Sequence, residues 1–170
     1  MYKYLIYFLI FSFLGWCAET VFAAVRYGRF VRRGLLRGPV CPIYGVGICL
    51  SYLLLGTVRS FITLALLSMA VATIVEFLVG LLADKALKSR LWDYRGEKGN
   101  ILGYVCPRFS LIWGVVSAVV IRLIPRLDGI LSLLDFPLAR AVTFIIMCIV
   151  VIDTKRSIEM RLIAKTAKIW

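Results

Sequence analysis

Two stretches decide the fold: residues 4–25, YLIYFLIFSFLGWCAETVFAAV, and residues 61–83, FITLALLSMAVATIVEFLVGLLA. Each is long and apolar enough to cross a bilayer as a helix, which takes about 20 residues. Each also holds one acidic residue, Glu19 in the first and Glu76 in the second. A carboxylate in hydrocarbon is costly, so it is paired, protonated or turned to a polar cavity, and it marks a functional site by default.

The composition around these runs gives the same setting. Apolar residues make up 62% of the 170, well above the roughly half expected of soluble domains, and the mean hydropathy is +0.93. Further runs at Val40–Gly56, Pro107–Ile124 and Pro137–Ile152 bring the expected number of helices to about five, the second and last being short for a simple span. The expectation is an all-α integral membrane protein. It comprises a single helical domain over residues 1–154 and a basic amphipathic tail over 155–170. The tail intersperses Ile158, Leu162, Ile163, Ile169 and Trp170 with basic residues, as a helix lying on the cytoplasmic leaflet does. The first run has only Lys3 before it and no small-residue cleavage site, so it reads as a retained helix rather than a signal peptide.

Charge sets the expected orientation, because Lys and Arg in short loops favour the cytoplasm. Sixteen of the 21 basic residues fall in the first loop, the third loop and the tail, against five on the opposite side. The N-terminus is therefore expected outside and the C-terminus in the cytoplasm of a bacterial inner membrane. A net charge of +12 does not call for nucleic acid here. The basic residues flank helix ends, where they face anionic headgroups of the lipid bilayer.

A repeat connects the two glutamates. Gly38-Pro39-Val40-Cys41-Pro42-Ile43-Tyr44 aligns with Gly103-Tyr104-Val105-Cys106-Pro107-Arg108-Phe109, and upstream Phe30-Val31-Arg32-Arg33-Gly34 matches Trp92-Asp93-Tyr94-Arg95-Gly96 as aromatic, two residues, Arg, Gly. Repeat A covers about 4–56, repeat B about 61–124, and the fifth helix 137–152. A repeat unit of two helices re-enters the membrane in the same sense, giving a parallel internal repeat. Both carboxylates then lie roughly 10 Å from the cytoplasmic helix ends, at about 1.5 Å per residue. Proline suits the first turn of a helix, and the N–H groups exposed there attract negative charge. Glu19 and Glu76 are thus expected near the starts of the second and fourth helices and near Arg37 or Arg108. A purely structural salt link between helices is the competing reading.

Other chemistry is sparsely supplied. The five cysteines include no Cys-x-x-Cys and the chain has no histidine, so isolated small hydrophobes describe them better than metal ligands. No Ser-His or Cys-His pair, Walker A sequence or dinucleotide fingerprint occurs. No metal, cofactor or catalytic residue is expected, and an enzyme is the minor option.

Gly15-Trp16-Cys17-Ala18-Glu19, Arg33-Gly34, Gly38-Pro39-Val40-Cys41-Pro42-Ile43-Tyr44-Gly45, Glu76, Trp92-Asp93-Tyr94, Asn100, Gly103 and Phe109-Ser110-Leu111-Ile112-Trp113-Gly114 together resemble the bacterial membrane proteins called putative ABC-transporter type IV. The chain departs from that pattern at Arg32, Arg95 and Pro107. The resemblance implies a permease-like subunit and a separate ATPase docking on the cytoplasmic side, at the loop Asp84–Asn100 and the tail. Trp92, Asp93 and Tyr94 are the candidate contact. The candidate ion- or substrate-binding set is Glu19, Glu76, Cys41, Cys106, Tyr44, Asn100, Arg37 and Arg108. Five helices barely enclose a path, so transport implies a homo-oligomer. The alternative is a non-transporting scaffold in a membrane complex.

Overall fold

The computed structural model describes residues 2–30, 34–88, 90–132 and 136–166, with side chains to 163. Arg32, Arg33, Lys168, Ile169 and Trp170 lie outside the described residues. Five helices follow one another: α1 (Tyr2–Tyr27), α2 (Pro42–Leu55), α3 (Phe61–Leu87), α4 (Pro107–Ser132) and α5 (Pro137–Thr166). Four of them are long and apolar enough to cross a membrane. The exception is α2, whose 14 residues reach only about 21 Å at 1.5 Å per residue, short of a hydrocarbon core about 30 Å thick.

Several helix ends differ from the sequence reading, chiefly at three C-termini: α3 runs to Leu87, four residues past Ala83, so Asp84 lies on the helix and not in the loop, and α4 and α5 extend further still. The fifth helix does not stop at Ile152 but runs unbroken to Thr166, so the basic segment beginning at Lys155 continues α5 rather than starting a separate element. No Gly or Pro interrupts residues 153–166, and the Lys155–Glu159 pair at 3.8 Å has the i,i+4 spacing that supports a helix. Likewise α4 continues past Ile124 through Pro125. That proline removes a backbone donor and costs one helical hydrogen bond.

The chain forms two compact units, residues 1–45 with 136–170, and residues 46–135. In the first, α1 packs on α5 and on the first turn of α2. Tyr2 Oη lies 3.4 Å from Thr143 Oγ1 on α5, and the Arg140 guanidinium sits over the Tyr2 ring. Glycines bring α2 onto α1. A Cβ at Gly45 would meet Ser12 Oγ and the Phe8 carbonyl, and a Cβ at Gly15 would enter the Tyr44 ring. Without those side chains the backbones can approach closely, as is common between membrane helices.

In the second unit, α3 and α4 pack together, and Leu55, Leu64, Ala118 and Ile121 form a core with Tyr52, Val58, Ala65 and Val71 around it. The tight turn between α2 and α3 is closed by Val58 N–H donating to the Leu55 carbonyl and by Ser60, whose hydroxyl accepts from Thr63 N–H. That cap satisfies one of the orphan donors at the start of α3. Many large apolar side chains remain exposed, among them Leu138, Phe144, Ile145, Ile149 and Val151 on α5. An apolar surface of this extent suits lipid rather than water.

Gly114 is the tight point of the α3–α4 contact, since a Cβ there would lie 2.6 Å from Met69 Cβ and 2.8 Å from the Ala65 carbonyl oxygen. Gly114→Val should lower stability by about 1–3 kcal/mol through overpacking, read as an earlier midpoint in an SDS unfolding titration. Gly129→Ala, at a site with nothing within 4 Å, should leave the midpoint unchanged or raise it slightly.

Candidate functional site with two carboxylates

In the first unit, Glu19 stands on α1 and receives a hydrogen bond from the Tyr44 hydroxyl, 2.6 Å to Oε1. Local sequence explains how Tyr44 gets there. Pro42 opens α2, and the preceding Cys41 N–H donates to the Ser12 carbonyl at 2.9 Å, which ties the start of α2 to α1. Gly15 leaves room for the Tyr44 ring. Upstream, Gly34 takes a positive φ of 97°, a conformation open to glycine at little cost, and a Cβ there would lie 3.0 Å from Cys41 Sγ. The loop also docks on α5, where Gly38 N–H donates to Asp153 Oδ2 at 2.7 Å and Ser157 donates to Oδ1 of the same carboxylate.

The second unit builds a comparable bond from different parts. Glu76 on α3 is buried and accepts from the Tyr94 hydroxyl at 2.8 Å. Tyr94 belongs to the loop before α4 and not to α4 itself. Its ring stacks on Phe109, with centroids 4.7 Å apart and planes 16° from parallel. Phe109 is the residue aligned with Tyr44, and it has no hydroxyl. The loop hydroxyl therefore reaches the carboxylate from a ring laid over the position Tyr44 occupies in the first motif.

That loop is held by its own network. Trp92 Nε1 donates to the Tyr104 carbonyl at 2.7 Å, Tyr94 N–H to the Gly103 carbonyl at 2.9 Å, and Ile101 N–H to the Val105 carbonyl at 2.9 Å. Asn100 braces the turn, accepting from Gly103 N–H at 3.0 Å and donating to the Glu97 carbonyl at 2.8 Å. Leu102 and Gly103 both take positive φ, 53° and 76°. Below the turn, the Tyr104 hydroxyl donates to Asp84 at 2.6 Å, and Arg90 lies 3.4 Å from the same carboxylate and over the Tyr104 ring. Donation to Asp84 raises the Tyr104 pKa above its ordinary value. Asp93 is gripped by Arg95, which bonds both carboxylate oxygens, and its pKa falls to about 2, chiefly through those hydrogen bonds.

The sequence-derived candidates thus separate into groups. Glu19 with Tyr44, and Glu76 with Tyr94, are brought together. Cys41 and Cys106 are buried immediately before α2 and α4. Arg37 extends to Met160 on α5, Nη2 to Sδ 2.7 Å, and Arg108 lies 3.5 Å from Glu97, so neither arginine's described contact is with an intramembrane glutamate. Asn100 is occupied by loop backbone, and Trp92 and Asp93 by bonds within the loop. Tyr94 as the partner of Glu76 and Asp153 as the anchor of the first loop were not foreseen. A carboxylate just beyond the apolar run of α5 was the available signal for Asp153. No group of three or more potential metal ligands occurs among the described residues.

The two helix contacts occupy corresponding places relative to the glutamates. Gly45 meets Phe8 and Ser12, eleven and seven positions before Glu19, while Gly114 meets Ala65 and Met69, eleven and seven positions before Glu76. A family model described as Putative ABC-transporter type IV matches residues 6–158. No curated protein and no solved structure matches the chain.

The depressed Asp93 pKa gives a testable pH dependence. The ion pair is intact above the ordinary carboxylate pKa near 3.8 and is lost as pH falls towards about 2, so its contribution to loop order disappears over that window. Tryptophan emission, reporting on the neighbouring Trp92, should change between about pH 4 and pH 2, the window set by these two values, in the native protein. In Asp93→Asn that component should be missing.

Proposed function

The chain belongs to the family described as putative ABC-transporter type IV, and on that premise we propose that it is a transport subunit whose intramembrane glutamates bind a proton or small cation. The observation that carries this reading is the partner of Glu19, a neutral hydroxyl. Among the described residues Glu19 forms no ion pair, and Arg37, the nearest arginine in sequence to the start of α2, is directed to Met160. A tyrosine orients a carboxylate without cancelling its charge, so the group keeps its affinity for a positive ligand. A salt link built only for packing pairs the carboxylate with a cation instead.

We also read the chain as two parallel copies of a helix, loop and helix. The matching Gly-x-Val-Cys-Pro segments, the paired hydroxyl-to-carboxylate bonds and the matching helix contacts before each glutamate all support that reading. On the positive-inside argument the N-terminus faces outward, and the end of α3, the loop that follows it to Asn100 and the end of α5 face the cytoplasm of a bacterial inner membrane. Residues 1–170 hold no phosphate-binding loop, and we assign coupling to ATP to a separate cytoplasmic protein. The ordered loop with Trp92, Asp93 and Tyr94 is the surface we assign to it. A path between so few helices further implies that copies of the chain assemble.

Glu19→Gln should reduce proton or cation entry into dye-loaded proteoliposomes by tenfold or more, while Tyr44→Phe, which removes the same hydrogen bond and keeps the carboxylate, should retain most of the flux. Unchanged flux would remove the glutamate from the pathway. Orientation is checked separately: a fluorescent protein fused to the C-terminus should fluoresce, and alkaline phosphatase at the same point should be inactive.

A further inference from the structure

Towards its C-terminal end α5 changes character abruptly. Ile149-Val150-Val151-Ile152 is apolar, and Asp153-Thr154-Lys155-Arg156 follows directly. Within the first unit a groove of about 610 Å³ runs along this change, bounded by α5 on one side and by Phe8 of α1 and Pro42 of α2 on the other. Its α5 lining extends from Met147 to Glu159, about 18 Å of helix at 1.5 Å per residue. Met147, Val150 and Val151 form the apolar end, and Lys155 and Glu159 the charged end. Val151 is 62% exposed, so the groove is open along its side.

We propose that this groove holds one phospholipid with a primary-amine headgroup, its acyl chain against Phe8, Met147, Val150 and Val151 and its phosphate and ammonium at Lys155 and Glu159. Length selects the occupant first. A hydrocarbon core about 30 Å thick gives each leaflet about 15 Å, and the lining from Met147 to Lys155 rises about 12 Å. The groove is thus about one leaflet deep and crosses into the headgroup region. That fits a lipid and is too short for a membrane-spanning helix of a partner.

Charge selects the headgroup. Lys155 and Glu159 are 3.8 Å apart, with side chains 77% and 53% exposed, a separation longer than a hydrogen bond. An exposed pair of this kind is weakly held, so both groups can turn to a ligand. Lysine binds phosphate as a point charge, and a carboxylate accepts from an ammonium. One cation and one anion a helical turn apart match a phosphate and an ammonium joined by a short link. A choline headgroup has no N–H to donate, and a glycerol headgroup brings no cation. The second unit also has a groove, of about 400 Å³ between α3, the loop before α4 and the first turn of α4, but no charged side chain lines it, so nothing there tells one headgroup from another. In the first unit the lipid also braces α2, since Pro42 opens that helix two residues before Tyr44 and the Phe8 carbonyl faces Gly45. The proposal goes beyond the transport reading and does not depend on it.

Native mass spectrometry of the purified protein, stripped of lipid and titrated with phosphatidylethanolamine, phosphatidylcholine or phosphatidylglycerol of identical acyl chains, tests this through the affinity of the first adduct. Phosphatidylethanolamine should bind about fivefold more tightly than the other two, the upper end for an exposed ion pair. Glu159→Gln should bring it down to the level of phosphatidylcholine and leave phosphatidylcholine unchanged. Val151→Trp, which fills the apolar end, should weaken phosphatidylethanolamine several-fold. Equal affinity for the three lipids in the native protein, or a preference unmoved by Glu159→Gln, would overturn the proposal. So would a dimer that excludes lipid and dissociates on Val151→Trp, which would give the groove to a second copy of the chain. If Val151→Trp does not fold, the headgroup preference and its loss in Glu159→Gln decide alone. Unchanged flux in Glu19→Gln would reject the transport reading and leave the lipid site standing.

Discussion

A carboxylate placed among apolar helices must be met by a donor, and the meeting of Glu19 with Tyr44 and of Glu76 with Tyr94 is the constraint around which the rest of this structure is organised. The cost of leaving such a group unsatisfied in hydrocarbon is several kcal/mol. To avoid it, each loop has to bring an aromatic hydroxyl back against the preceding helix. In the first unit this accounts for the bare backbone at Gly15, the Cys41 N–H bonded into α1 and the proline that starts α2 just where Tyr44 can point at the glutamate. In the second unit it accounts for a loop with its own internal ladder, whose product is a tyrosine laid on Phe109.

The two solutions show how one local motif accommodates different neighbours. Both motif glycines lie against a carboxylate, Gly38 against Asp153 and Gly103 against Asp93. In the second case the acid comes from the loop itself. In the first it comes from α5, so the fifth helix supplies to the shorter loop what the longer loop supplies for itself. The continuous course of α5 beyond Ile152 matters for this reason, since Asp153, Ser157 and Met160, which all engage the 37–38 segment or its anchor, lie past the apolar stretch.

Much of this was legible in the sequence. Hydrophobic runs located all five helices, and the two glutamates and the Gly-x-Val-Cys-Pro segments stood out because a charge, or a proline after a cysteine, is unusual within such runs. Tyr44 was singled out by its place in the motif. The helix ends at Ala83, Ile124 and Ile152 were set too early, because hydropathy reports where apolar residues stop and not where helical hydrogen bonding stops. Arginines were expected at the glutamates from charge alone, yet Arg37 and Arg108 satisfy nearer partners, Met160 and Glu97. Tyr94 was visible only as part of an interface cluster. Its route to Glu76 depends on a loop turn through Leu102 and Gly103 at positive φ, which no periodicity announces.

The most direct test of the central constraint is a double-mutant cycle on unfolding free energy, with Glu19→Gln and Tyr44→Phe in one cycle and Glu76→Gln and Tyr94→Phe in the other. The account predicts a favourable coupling of about 1–3 kcal/mol in each cycle, the range for a hydrogen bond to a charged group in a buried setting. Additive single effects in both cycles, with coupling near zero, would contradict it and leave the tyrosines as packing residues only.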